Sequence, residues 1–193
     1  DRVLFPPLHP PPACPPPAPQ NPEDPAVPSI RLRLVALTLP ILWASGLLAQ
    51  SGRLQVPDPG PKDTCPVCGM FVAKYPEWVA TVLYRDGHAH HFDGAKDLFK
   101  YLFDMPKWAP GHKPGDMAAI AVTEYYSLAR IPARDAWFVV GSDVLGPMGH
   151  ELIPLATEAD AQEFMRDHAG KRILRFDGVT QELPGNLDKG IFD

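Results

Sequence analysis

Two thiols and a thioether fall within six residues, Cys65-Pro66-Val67-Cys68-Gly69-Met70. Soft sulfur donors select Cu(I), zinc or iron–sulfur clusters, and a thioether in the set tilts the choice toward copper. The same C-x-x-C spacing serves a redox disulfide or half of a structural zinc site. A thioredoxin-type pair needs its first cysteine at a helix N-terminus. No amphipathic helix begins at Cys65, because Gly69 follows the second cysteine directly and Pro76 comes soon after. A closed zinc site wants nitrogen or sulfur ligands on all sides, so two histidines would have to join the thiols, and no finger-like histidine pair follows. Copper(I) is satisfied by fewer, softer ligands.

The best distant donor of that kind is Met148, held in Gly146-Pro147-Met148-Gly149. Glycines around a methionine in a turn remove the neighbours that would bury it, which predicts an accessible thioether. Core packing is the ordinary use of a methionine, and it is expected for Met105, Met117 and Met165. His88, His90 and His91 flank a turn, with His88 and His90 on one face of a strand and His91 on the other. Clusters of this type read as solvated surface, as a rule. His150 follows the methionine turn as a ligand or a neighbour of one, and His112 and His168 are assigned no role. The chain shows no Ser/His/Asp arrangement, paired-carboxylate site or phosphate-cradling glycine loop, so no enzyme is expected.

These donors need elements to position them. Residues 78–84 read as a strand, Arg85-Asp86-Gly87 as a turn, and 88–92 as its returning partner. Asp93 then reads as the cap of a helix whose apolar positions Ala95, Leu98, Phe99 and Leu102 repeat at helical spacing. Met105-Pro106 ends it, residues 106–117 read as a loop, and 118–126 as a third strand. The second half repeats the order: a strand at 136–140, the glycine-rich turn, a returning strand at 151–155, and a helix capped by Thr157 with Asp160 at its third position. Ala169-Gly170 stops that helix, and 172–176 is the last strand. The expected fold class is α+β, with two strand–strand–helix–strand (ββαβ) repeats packed into one small domain.

Around this domain the composition changes. About half of the 25 prolines lie in residues 1–29, a stretch that cannot bury a core and is expected to be disordered or to be sequence upstream of the true start. Residues 30–50 pair Arg31 and Arg33 with an apolar run ending in small residues, the layout of a secretory signal. The run is short for a membrane span of roughly 20 residues and is broken by Pro40; a retained anchor is its other reading. Residues 51–62 form a linker, 63–180 the domain (halves about 63–126 and 135–178), and 181–193 a tail. Removal of the leader also removes Cys14. A net charge of −5 argues against nucleic acid, which wants a strongly basic face.

The Cys65–Met70 motif, the following Tyr75-Pro76, the stretch from Ser142 to Pro154 that contains Gly146-Pro147-Met148-Gly149, and Asp160-Ala161-Gln162-Glu163-Phe164-Met165 resemble the NosL family. The resemblance covers roughly residues 63–178. The family comprises exported accessory proteins of denitrifying bacteria that carry copper to nitrous oxide reductase. The resemblance implies one Cu(I) bound through sulfur and handed by ligand exchange to the reductase apoprotein, alongside a membrane ABC-type transporter. Carried over by residue, the cysteine before Gly-Met is Cys68 and the thioethers are Met70 and Met148. Many members lack the first cysteine, so Cys65 is an additional ligand candidate. Members are typically lipoproteins with a cysteine directly after a Leu-x-Ala signal end. Here Gln50 follows Leu47-Leu48-Ala49, and the expectation is a free periplasmic protein or one held by its uncleaved signal. The readings left beside this one are a thiol–disulfide oxidoreductase using Cys65/Cys68 and a zinc-stabilised interaction module.

Overall fold

The computed structural model describes residues 54–192. The proline-rich segment, the signal, Cys14 and the first linker residues lie outside the described residues. Among the described residues, no helix is long and apolar enough to cross a membrane.

Strand β1 (Ala80–Tyr84) lies at the centre of an antiparallel sheet, with β2 (Ala89–Phe92) on one side and β3 (Met117–Thr123) on the other; β4 (Arg130–Pro132) extends it beyond β3. The β1–β2 hairpin closes at the expected Asp-Gly turn: Gly87 takes φ 87°, and the Asp86 carboxylate accepts the His88 amide at 2.9 Å. Helix α1 (Ala95–Phe103) crosses this sheet with Ala95, Leu98 and Phe99 buried and Leu102 half-buried, as the periodicity predicts. It ends at Asp104, and the expected loop after it opens with a single turn, α2 (Met105–Trp108), in which Met105 is buried.

The second sheet has the order β8–β5–β9, built from β5 (Trp137–Val140), β8 (Ile153–Leu155) and β9 (Arg172–Arg175). Between β5 and β8 a two-residue-deep hairpin, β6 (Leu145–Gly146) and β7 (Gly149–His150), carries Pro147 and Met148 at its tip. Helix α3 (Glu158–Asp167) starts as the sequence predicts, with Thr157 Oγ1 accepting the Asp160 amide at 3.1 Å, and stops where Ala169 turns to φ 52°.

Strand periodicity explains how one sheet serves two cores. Alternate side chains of β5 point to opposite faces: Phe138 and Val140 join the cluster under α1, while Val139 joins Ile153, Leu155, Ala161 and Phe164 beneath α3. The stretch expected to be a tail adds to the first cluster. It forms α4 (Leu183–Leu187), whose Leu183 and Leu187 are buried, and Asp188 directly after it pairs with Lys96 at 2.9 Å and Lys100 at 2.8 Å.

Two expectations at the start of α1 and β8 fail together, and for one reason. Asp93 does not cap α1; Gly94 occupies that position without a side-chain bond, and the Asp93 carboxylate turns to Cys68 instead. The capping acceptor comes from the second half of the chain. The Glu151 carboxylate accepts the Lys96 amide as well as that of Leu152, which takes Glu151 out of the expected strand and delays β8 to Ile153. A Cβ at position 94 would run into that carboxylate, so a larger residue there would force the Glu151 side chain to move.

Candidate metal centre

The cysteine motif is a closed loop. Thr64 and Phe71 pair across its neck, the Cys65 amide donates to Met70 O and the Gly69 amide to Cys65 O, both at 2.8 Å. The reversal needs a left-handed residue after the second cysteine, and Gly69 supplies it at φ 78°. Both thiols therefore face the first turn of α1. Cys65 is buried and donates to Asp97 Oδ2 at 3.5 Å; Cys68, half-buried, donates to Asp93 Oδ1 at 3.1 Å. The four ligand atoms of Cys65, Cys68, Asp93 and Asp97 lie within 4.8 Å of one another, close enough to hold one metal ion.

Electrostatics keeps these thiols protonated while no metal is bound. Burial pushes the Cys68 thiol up to about 12, and the hydrogen bond to Asp93 pushes the same way. Burial raises Cys65 further still, with the Asp97 and Asp93 charges adding to it. Opposing this, the backbone amides of Cys68 and Val67 favour a thiolate at Cys65, and that of Met70 favours one at Cys68. The loop is thus built to support thiolates once a cation displaces their protons. Asp93 Oδ2 is buried with no hydrogen-bond partner, so the carboxylate beside Cys68 has acceptor capacity to spare. A redox nucleophile needs its thiol pKa lowered, and here both shifts run upward.

Met70 is half-buried in the same loop, and its carbonyl closes that loop. Met148 is 44% exposed at the β6–β7 tip, beside Gly149 at φ 81°, in keeping with the accessible thioether expected there. The hairpin is held by two bonds to residue 96: Lys96 Nζ donates to Met148 O at 2.8 Å, and the Lys96 amide to Glu151. The Met148 turn is thereby anchored to the same first turn of α1 that the thiols face. The histidines go elsewhere. His91 bonds Thr81, His168 bonds Asp143, and His150 packs against Phe192; His88, His90 and His112 gather beside Tyr84.

Sequence reasoning misses Asp93 and Asp97. It looks to histidines for the missing partners of the thiols and finds none at suitable spacing. The available signal is the four-residue interval between the two aspartates, which places both on one side of a helix start.

The NosL family model matches residues 57–184. The chain is 28% identical over 134 residues to the copper-binding lipoprotein NosL of Stutzerimonas stutzeri, a match covering 63% of this chain and 64% of that protein, so it spans less than two thirds of the relative. Among solved structures, the copper chaperone NosL from Shewanella denitrificans superposes with a TM-score of 0.55 at 28% identity, over 66% of this chain and 96% of that one.

Proposed function

This chain belongs to the NosL family, and from that premise we propose that it is an exported Cu(I) metallochaperone that delivers copper to nitrous oxide reductase by ligand exchange. Cys68 is the anchoring thiolate, Met70 and Met148 are the softer ligands, and Cys65 is a further one. The observation that carries this reading is the common anchorage of both partners: the thiol loop and the exposed Met148 turn meet the same end of α1.

Copper is cargo here, so the site must load and unload it. Loading replaces the Cys68 S–H bond with an S–Cu bond, and the proton leaves to solvent by way of Asp93, which already accepts that hydrogen bond. Carboxylate oxygen is a hard donor that Cu(I) disfavours, so Asp93 and Asp97 serve as proton acceptors beside the metal. Half-exposure of Cys68 and exposure of Met148 leave the ion open to an acceptor's ligands. The role is carriage and not catalysis. The reductase apoprotein is the recipient, an ABC-type membrane transporter works in the same assembly, and the protein acts in the periplasm, free or held at the membrane by its uncleaved signal. The domain is two ββαβ units with α4 added to the first core, a reading supported by the matching sheets: in each, the first strand is central, its hairpin partner lies on one side and the strand after the helix on the other.

A second reading draws on the four-atom cluster itself. Two thiolates and two carboxylates make a closed tetrahedron suited to zinc, which would make the centre a structural staple. Anaerobic Cu(I) titration against a chelator separates the two. One Cu(I) per reduced chain is expected, with binding abolished by Cys68→Ser and weakened about tenfold, near 1.4 kcal/mol, by Met148→Leu. Protein that takes up no Cu(I), or that is isolated with tightly held zinc at Cys65 and Cys68, would contradict the copper reading.

A further inference from the structure

Three imidazoles meet at the opposite end of β2 from the thiol centre. His88 and His90 share one face of the strand, and His112 reaches them from the segment after α2. Their ring centroids form a triangle with sides of 4.7 Å (His88–His90), 5.7 Å (His88–His112) and 6.0 Å (His90–His112). A metal–nitrogen bond of about 2.0–2.1 Å places the centroids of three ligating imidazoles about 5 to 5.5 Å apart, a range that the sides of this triangle straddle by half an ångström or less. We propose that His88, His90 and His112 form a second metal site, separate from the thiol centre and selective for a divalent late transition-metal cation, with Cu(II) the tightest binder.

The surroundings prepare these rings. His112 stacks on Tyr84 with centroids 3.9 Å apart, which holds it over the cluster. His90 Nδ1 is hydrogen-bonded to the Tyr101 hydroxyl at 2.6 Å, and Tyr101 in turn to the Tyr84 hydroxyl. A metal-binding histidine almost always has its other ring nitrogen fixed in this way, and the bond leaves Nε2 as the ligand atom. Burial, with His88 and His112 close by, pushes His90 down to about 4, so its lone pair is available at neutral pH. His88 is exposed and His112 half-buried, which leaves the site open to an incoming ion. As the rings stand, their nitrogens do not lie within 4.8 Å of one another, so binding an ion requires rings of the cluster to turn toward it.

The ligand chemistry differs from that of the thiol centre. Imidazole without thiolate suits borderline divalent ions, and Cu(II) heads the affinity order among them. His91 takes no part, since it points to the other face, to Thr81 and Asp63. The two centres are also apart in space. His90 precedes Asp93 by three residues, about 10 Å along an extended chain.

The test is a Cu(II) titration of untagged protein whose thiols have been alkylated, read by electron paramagnetic resonance. One Cu(II) is expected, with superhyperfine splitting from several nitrogens. His88→Ala, at an exposed position, and His112→Ala, at a half-buried one, both outside the packed core, should each weaken it about tenfold, and His90→Phe should do so while preserving the packing against Tyr84. Cu(I) affinity of the same variants with free thiols should not change. Undiminished Cu(II) binding in the His88→Ala/His112→Ala double variant, or a signal lacking nitrogen splitting, would overturn the proposal.

Discussion

In the proposed copper site, proton exchange at Cys68 governs when metal is held. Its thiol is pushed up to about 12 by burial and by Asp93, while the bound form requires a thiolate. Metal affinity must therefore rise with pH throughout the range below that value, by about tenfold per pH unit for each thiol proton displaced. Chelator competition for Cu(I) at pH 6, 7 and 8 checks this; a flat profile would mean that no thiol proton leaves. Asp93→Asn removes the basic carboxylate while preserving shape, and is expected to slow copper uptake more than it changes equilibrium affinity, as measured by stopped-flow. Cys65 and Cys68, the sulfur members of the four-atom cluster, are legible from the sequence because their donor atoms and spacing signal soft-ion chemistry. Asp93 is not. An aspartate before a helical run reads as a cap, and only the docking of a loop 25 residues earlier in the chain redirects it to a thiol.

At the scale of elements, the joint between the β6–β7 hairpin and α1 decides whether Met148 belongs to the site. Glu151 is buried, and burial pushes its carboxyl up to about 8. A carboxyl raised in the folded state favours folding most when protonated. Its contribution is fully present below the unfolded value near 4.5 and is lost as pH rises through about 8. Thermal melting should show wild type losing stability across that window relative to Glu151→Gln, which stays neutral and can still accept the Lys96 amide. Parallel curves would show that Glu151 does not titrate in the fold. Lys96→Met, which cannot donate to the Met148 carbonyl, should weaken Cu(I) binding in wild type and have little further effect in a Met148→Leu background. Helices α1 and α3 and both hairpin turns are readable from periodicity and from Asp86-Gly87 or Gly146–Gly149. The Glu151 latch is not, because its two ends are 55 residues apart and neither carries a local pattern.

For the whole molecule, the domain extends past the last predicted strand. Leu183 and Leu187 fill the core under α1, and Asp188 neutralises the buried Lys96. Truncation after residue 180 should destabilise the fold by roughly 3–6 kcal/mol from the two leucines, seen as a lowered denaturation midpoint, and should leave Lys96 buried without its carboxylate. An unchanged midpoint would show that α4 is dispensable. A five-residue helix with proline and glycine inside it has no period to read, so this part of the fold is legible only in three dimensions. The same holds for the Lys96–Met148 contact, which joins the two halves of the chain and on which the proposed meeting of Met148 with the thiol loop rests. Copper K-edge X-ray absorption of the Cu(I)-loaded protein tests that meeting most directly. Wild type should show a sulfur-dominated first shell, and Met148→Leu should lose one sulfur from it. A first shell of nitrogen and oxygen, or a sulfur shell identical in the two proteins, would contradict a copper site shared between the Cys68 loop and the Met148 turn.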